Sequence, residues 1–236
     1  MNAIDRFKSS KILKLIVVFL LFYLSGDFKV VIADILNYDI KNITASQLFN
    51  LTLITDIILV AILIAIYFKD LKEDFKVMKN NFNKNTEIGL KYWIVGLLIM
   101  VTSNLLINIF LKGANANNEE TVQEVIGAAG YLSLVVVGII GPIIEELVFR
   151  KAFRDAIKNK IAFVIVSGVI FGGLHVILSL TGPLDLVYLI PYCSLGIAFG
   201  MMYVKTDNIY TSMSMHIFHN TVFTLISIIG SGVILW

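Results

Sequence analysis

The sequence predicts an all-α fold: a polytopic bundle of about seven transmembrane helices enclosing an intramembrane cavity. Three observations carry that expectation. Of the 236 residues, 58% are hydrophobic and 15% charged, with a mean hydropathy of +0.85, whereas soluble domains hold about 45–50% apolar and about 25% charged residues. The apolar residues fall in blocks of about 17–25, the length a helix needs to cross a bilayer. Lysine and arginine then alternate from loop to loop, as the cytoplasmic bias of basic residues requires.

The predicted spans are Leu13–Ile35, Leu48–Phe68, Tyr92–Leu111, Ile126–Ile144 with its continuation, Ile161–Leu180, Leu184–Val204 and Ile209–Ile229. Gly26, Asp27, Lys29 and Asp34 interrupt the first. Its basic start and the apolar run from Leu15 to Leu24 resemble a signal sequence, but no small-x-small cleavage site follows, which favours an uncleaved signal anchor. The second carries a lone Asp56, read as a packing or cavity residue. Tyr92, Trp93 and Trp236 are expected as interfacial anchors. In the sixth, Cys193 reads as a small buried hydrophobe, and a single cysteine excludes an intramolecular disulfide.

Loop charges set the orientation. Arg6, Lys8, Lys11 and Lys14 precede the first span, six lysines from Lys69 to Lys91 follow the second, Arg150 to Lys160 follow the fourth and Lys205 follows the sixth. The alternate segment Lys112–Glu124 holds Glu119, Glu120 and Glu124 against one lysine, and Thr181–Pro183 is uncharged. This places the N-terminus in the cytoplasm and the C-terminus outside. The Lys69–Lys91 stretch fits an interfacial helix dipping Leu71, Phe75, Val77 and Met78 toward lipid, and fits a solvated loop equally well. Residues 1–125 are expected to hold about three N-terminal spans and this basic loop, and residues 126–236 a catalytic core, together one membrane domain. The net charge of +2 is spread over loops, so the lipid bilayer, and no nucleic acid, is the expected partner.

Ionisable residues inside a span are costly unless paired or facing a polar cavity. The fourth span carries Glu145, Glu146 and Arg150, the fifth His175, and the seventh His216, His219 and Asn220. Glu146 and Arg150 are four apart and share a helix face, which suits an ion pair and leaves Glu145, about 100° round, to face a cavity. Phe171 and His175, and His216 and Asn220, repeat the spacing of four. Gly172 and Gly173 should admit a neighbouring helix closely. Pro142 should kink the fourth helix and free a carbonyl. If that helix continues past Arg150, Glu145 and His175 each lie about 21 Å from the cytoplasmic end of their helices, so the groups can meet at one depth.

Their chemistry suits peptide hydrolysis, which needs an activated water, a base and donors for an oxyanion. Proton relays and ion-transport sites use some of the same groups, and buried His and Asn also bridge helices structurally. A transporter would show inverted repeats, and the sequence shows none. His219 fits a polar packing partner better than a site residue.

Three ordered motifs, Glu145-Glu146-x-x-x-Arg150, Phe171-x-x-x-His175 and His216-x-x-x-Asn220, resemble those of the CPBP family of CAAX-processing and bacteriocin-processing proteases (also called Abi), which includes the Ras-converting endopeptidase. The likeness runs from about Gly141 to Thr224. It implies an intramembrane endopeptidase cleaving a hydrophobic or membrane-associated peptide or protein precursor. In family terms Glu145 and His175 would activate water, while His216 and Asn220 would shape the oxyanion site. Glu146 would belong to the catalytic set or position water, and Arg150 and Phe171 would be structural or substrate-positioning. The resemblance also admits a divalent metal, zinc, held by His175 and His216. Its other implication is a non-enzymatic scaffold, or a bacteriocin-immunity or regulatory partner, that keeps the fold. A multi-pass protein of a Gram-positive cell membrane is the expected setting.

Overall fold

The computed structural model describes residues 10–111, 117–177 and 180–230, with the side chains of 117–122 outside that description. Arg6, Lys8, Lys112, the Glu119 and Glu120 side chains, and Trp236 therefore lie outside the described residues. Among the described residues every element is helical: α1 (Lys11–Tyr23), α2 (Ser25–Ile35), α3 (Ala45–Asn80), α4 (Phe82–Phe110), α5 (Asn117–Ala129), α6 (Leu134–Ala156), α7 (Lys160–Ile177), α8 (Leu189–Thr206) and α9 (Ile209–Gly230). Five helices are long and apolar enough to cross a membrane, or up to 7 if each of two bent pairs counts as one span.

The two bends correct the expected spans. Leu13–Ile35 is not one rod, because α1 and α2 meet at 49° around Leu24. The predicted span from Ile126 turns by 101° between residues 123–132 and 134–156. Just before the break, Gly130 follows the end of α5 at φ 53°, a conformation that costs a residue without Cβ little. Hydropathy stays high across both bends, since composition reports length and not direction.

The Lys69–Lys91 stretch is helical. α3 runs unbroken from Ala45 to Asn80, and Asn81 alone separates it from α4. A capping box starts α3, with Thr44 Oγ1 accepting from Gln47 N–H at 3.3 Å and Gln47 Oε1 accepting from Thr44 N–H at 2.9 Å. Leu71 and Met78 point inward and are buried, whereas Phe75 and Val77 are exposed. The inward face has a use: Asn208 donates its amide to the Asp74 carbonyl at 2.6 Å, and Ile209 N–H donates to the Asp74 carboxylate at 3.3 Å. The carboxylate thus sits at the N-terminus of α9, where the helix dipole favours an anion. The extension of α3 fixes where α9 begins.

The tightest packing joins α7 to α8. Gly168 on α7 faces Gly196 on α8, Gly172 packs on Cys193 and Gly200 on Val164; small residues spaced by four on both helices let membrane helices approach backbone to backbone. A Cβ on Gly172 would lie 2.6 Å from the Cys193 nitrogen, and one on Gly196 would lie 2.7 Å from the Gly168 carbonyl oxygen. Gly173 has no such role, since a Cβ there would meet only Ile177 Cδ1 of its own helix at 3.7 Å. Phe19 and Phe22 of α1 pack edge-on against Phe149 of α6, joining α1 to the same core. Outward faces such as Leu98 and Ile109 of α4 are both 61% exposed, and lipid can cover apolar surface that water would penalise.

Candidate active site

The site begins with a local distortion of α6. Pro142 cannot donate a backbone hydrogen bond, so it leaves unserved both Gly138, its partner in an α-turn, and Val137, its partner in a wider π-turn. The helix widens on both sides of Gly141–Glu145, over Leu134–Ile140 and Glu146–Ala152, and Gly141 N–H bonds to the Val136 carbonyl five residues back. The neighbouring α9 then serves both orphaned carbonyls. Asn220 Nδ2 donates to Val137 O at 3.1 Å and Thr221 Oγ1 to Gly138 O at 3.3 Å. The proline thus ties α6 to α9 at the level of the glutamates.

α6 continues beyond Arg150 to Ala156, so α6, α7 and α9 bring their polar residues together. Glu145 presents Oε1 to His175 Nε2 at 3.8 Å and Oε2 to His216 Nε2 at 3.4 Å. His175 Nδ1 lies 2.8 Å from the Phe171 carbonyl of its own helix. A carbonyl can only accept, so Nδ1 carries the proton and Nε2 is the nitrogen turned to Glu145. Glu145, His175, His216, Asn220 and Phe171 all line one cavity of about 610 Å³.

Glu146, grouped with the catalytic residues on sequence grounds, has a different place. It is fully buried and is not among the cavity-lining residues. Its Oε1 is 3.5 Å from Arg150 Nε and 3.1 Å from His216 Nδ1. Arg150 is fully buried as well; it donates to the Ser167 carbonyl at 3.4 Å and lies 4.9 Å above the Phe171 ring. Glu146 and Arg150 therefore form a buried pair beneath the cavity that holds His216 by its far nitrogen. Phe171 sits among these groups, with its ring centroid 4.6 Å from that of His175 and edge-on to His216 at 5.7 Å.

Several site neighbours were not foreseen from sequence. Tyr192 stacks on His175 at 5.2 Å and Phe199 on His216 at 4.4 Å; aromatic residues in an apolar helix give no pattern that separates such a role from packing. Trp93, expected as an interfacial anchor, donates its indole N–H to His219 Nδ1 at 3.3 Å. His219 and Asp56 also line the cavity. Among the described residues, no group of three or more His, Cys, Asp or Glu is arranged as a metal site.

The profile of type II CAAX prenyl endopeptidases, Rce1-like, matches residues 127–222, a stretch that contains every residue of the three motifs. The segment is similar to the Rce1-like family, in keeping with the likeness of the three motifs to the CPBP proteases. Among the curated relatives, one has the name of a membrane peptidase. The chain is 28% identical over 154 residues to the "Putative membrane peptidase YdiL" of Bacillus subtilis, covering 62% of this chain and 59% of that one. It is 27% identical to the "UPF0177 protein YxdF" of Lactococcus lactis, over 59% of this chain and 77% of the relative. It is 29% identical to an "Uncharacterized protein" of Mycoplasma capricolum, over 66% and 48%. The chain thus spans about three fifths of the length of YdiL and about half of the mycoplasmal protein. No solved structure matches it. The matched segment comprises α6 to most of α9 together with part of α5; α1 to α4 lie outside it.

Proposed function

We propose that this chain is an intramembrane endopeptidase that hydrolyses a hydrophobic or membrane-associated peptide or protein precursor. The observation that carries the reading is the Glu145 carboxylate facing the Nε2 atoms of both His175 and His216 in one cavity. A carboxylate and an imidazole converging at this range can hold one water between hydrogen-bonding partners. In the step we propose, Glu145 takes a proton from that water while its oxygen adds to the scissile carbonyl carbon. The second N–H of the Asn220 amide then donates to the oxyanion, while His216, its Nδ1–H held by Glu146, turns an accepting Nε2 toward the water. As the C–N bond breaks, Glu145 returns the proton to the leaving nitrogen, giving a carboxylic acid and an amine. Tyr192 and Phe199 hold the two imidazoles in plane by stacking, and Glu146 with Arg150 orients His216 from below. No step passes through a metal.

Comparative mass spectrometry of membrane peptides tests this in cells carrying the wild-type chain, Glu145→Gln or His175→Ala. Precursors should accumulate and their fragments vanish in both variants. An unchanged peptide profile in both would leave only the scaffold or immunity reading.

A further inference from the structure

Part of the cavity is built by helices outside the Rce1-like segment. Asp56 reaches it from α3, and Asn104 and Asn108 from α4. The two asparagines are four apart and therefore on one helix face, and both are exposed rather than packed. Asp56 is joined by no salt bridge among the described residues, although the charge of Lys29 on α2 acts on it through space. Three polar side chains directed from two apolar spans into one cavity are expensive in a membrane unless that cavity receives something polar. The proposed hydrolysis does not use them. A carboxylate without a salt bridge and two neutral amides, lining one cavity with Met100, Leu195 and Phe223, are complementary to a cation on an apolar stem. Lysine and arginine side chains have that form.

We infer that Asp56, with Asn104 and Asn108, is a specificity subsite that selects a lysine or arginine side chain of the peptide close to the bond being cut. The inference rests on the protease reading for its place in catalysis. Its binding consequence can be measured without turnover.

The test uses the full chain in proteoliposomes carrying Glu145→Gln, and a set of fluorescent hydrophobic peptides in which Lys, Gln or Glu is placed at each successive position. At one position Lys should bind about ten-fold more tightly than Gln, a difference of about 1.4 kcal/mol. Adding Asp56→Asn should bring the Lys peptide down to the Gln level, Asp56→Glu should keep the preference, and Asp56→Lys should transfer it to the Glu peptide. Equal affinity for Lys, Gln and Glu at every position would overturn the subsite, as would a Lys preference that survives Asp56→Asn. Cleavage of the same peptides by the chain with Glu145 intact reads the protease proposal separately. Charge-dependent binding without cleavage would sustain the subsite and remove the enzyme; cleavage indifferent to charge would do the reverse.

Discussion

At the scale of single residues, the two adjacent glutamates have opposite fates. Glu145 faces the cavity and both imidazoles, whereas Glu146 is sealed beneath with Arg150. Replacing Glu145 by Gln should therefore lower kcat by at least about 10²-fold, the range for loss of a positioned general base, with little change in thermal stability in detergent. Replacing Glu146 by Gln should act on the fold. It leaves the Arg150 guanidinium buried without its counter-charge, which costs about 3–5 kcal/mol, so a large fall in unfolding temperature is expected. Removing both charges with Glu146→Met and Arg150→Leu should recover part of that loss. If Glu146→Gln unfolded at the wild-type temperature, the buried pair would not be holding this part of the core. The i, i+4 spacing made the Glu146–Arg150 pair legible in the sequence, because helix geometry alone puts the two on one face. The stacking of Tyr192 and Phe199 was not legible, since which aromatic residue meets which imidazole is decided by the approach of α8.

At the scale of elements, two devices place the polar groups. Pro142 withholds a donor from α6, and α9 supplies it through Asn220 and Thr221. Pro142→Ala restores a backbone N–H that competes with Asn220 for the Val137 carbonyl or with Thr221 for that of Gly138. Activity is expected to fall about ten-fold, corresponding to about 1.4 kcal/mol in the barrier, without loss of stability. Activity kept at the wild-type level would mean that the α6–α9 tie does not matter to the site. The second device is the α7–α8 contact. Gly172→Ala puts a methyl group 2.6 Å from the Cys193 backbone nitrogen, so the helices must separate, at about 1–3 kcal/mol. Gly173→Ala, whose Cβ would make only an ordinary contact with Ile177 Cδ1 at 3.7 Å, serves as the control and should unfold like the wild type. Both glycines look alike in the sequence, and only the packing tells them apart. Pro142 was readable because its missing N–H is a property of the residue itself.

At the scale of the whole molecule, length and hydropathy revealed a helical membrane bundle, and the charged residues that violate the apolar spans revealed where its polar cavity lies. They did not reveal the 49° and 101° bends, because a bent helix pair has the same composition as a straight one. Nor did they show that the basic stretch after α3 is helical and seats α9 through Asp74; its lysines suit solvent and membrane surface alike. The orientation expected from the loop charges, with the N-terminus inside, is checked by labelling single cysteines introduced at Lys76 and at Gly182. An impermeant thiol reagent added to intact cells should reach only the second in a Cys193→Ala background, and labelling of the first would invert the topology. The claim on which the rest depends is that water activated at Glu145 cuts a peptide inside this bundle. Its most direct measurement is cleavage of a precursor, identified from the membrane peptide profiles, by the purified chain in proteoliposomes made up in ¹⁸O-labelled water. One labelled oxygen should appear in the new carboxyl terminus with the wild-type chain, and neither cleavage nor label should appear with Glu145→Gln. Cleavage by Glu145→Gln at the wild-type rate would contradict it.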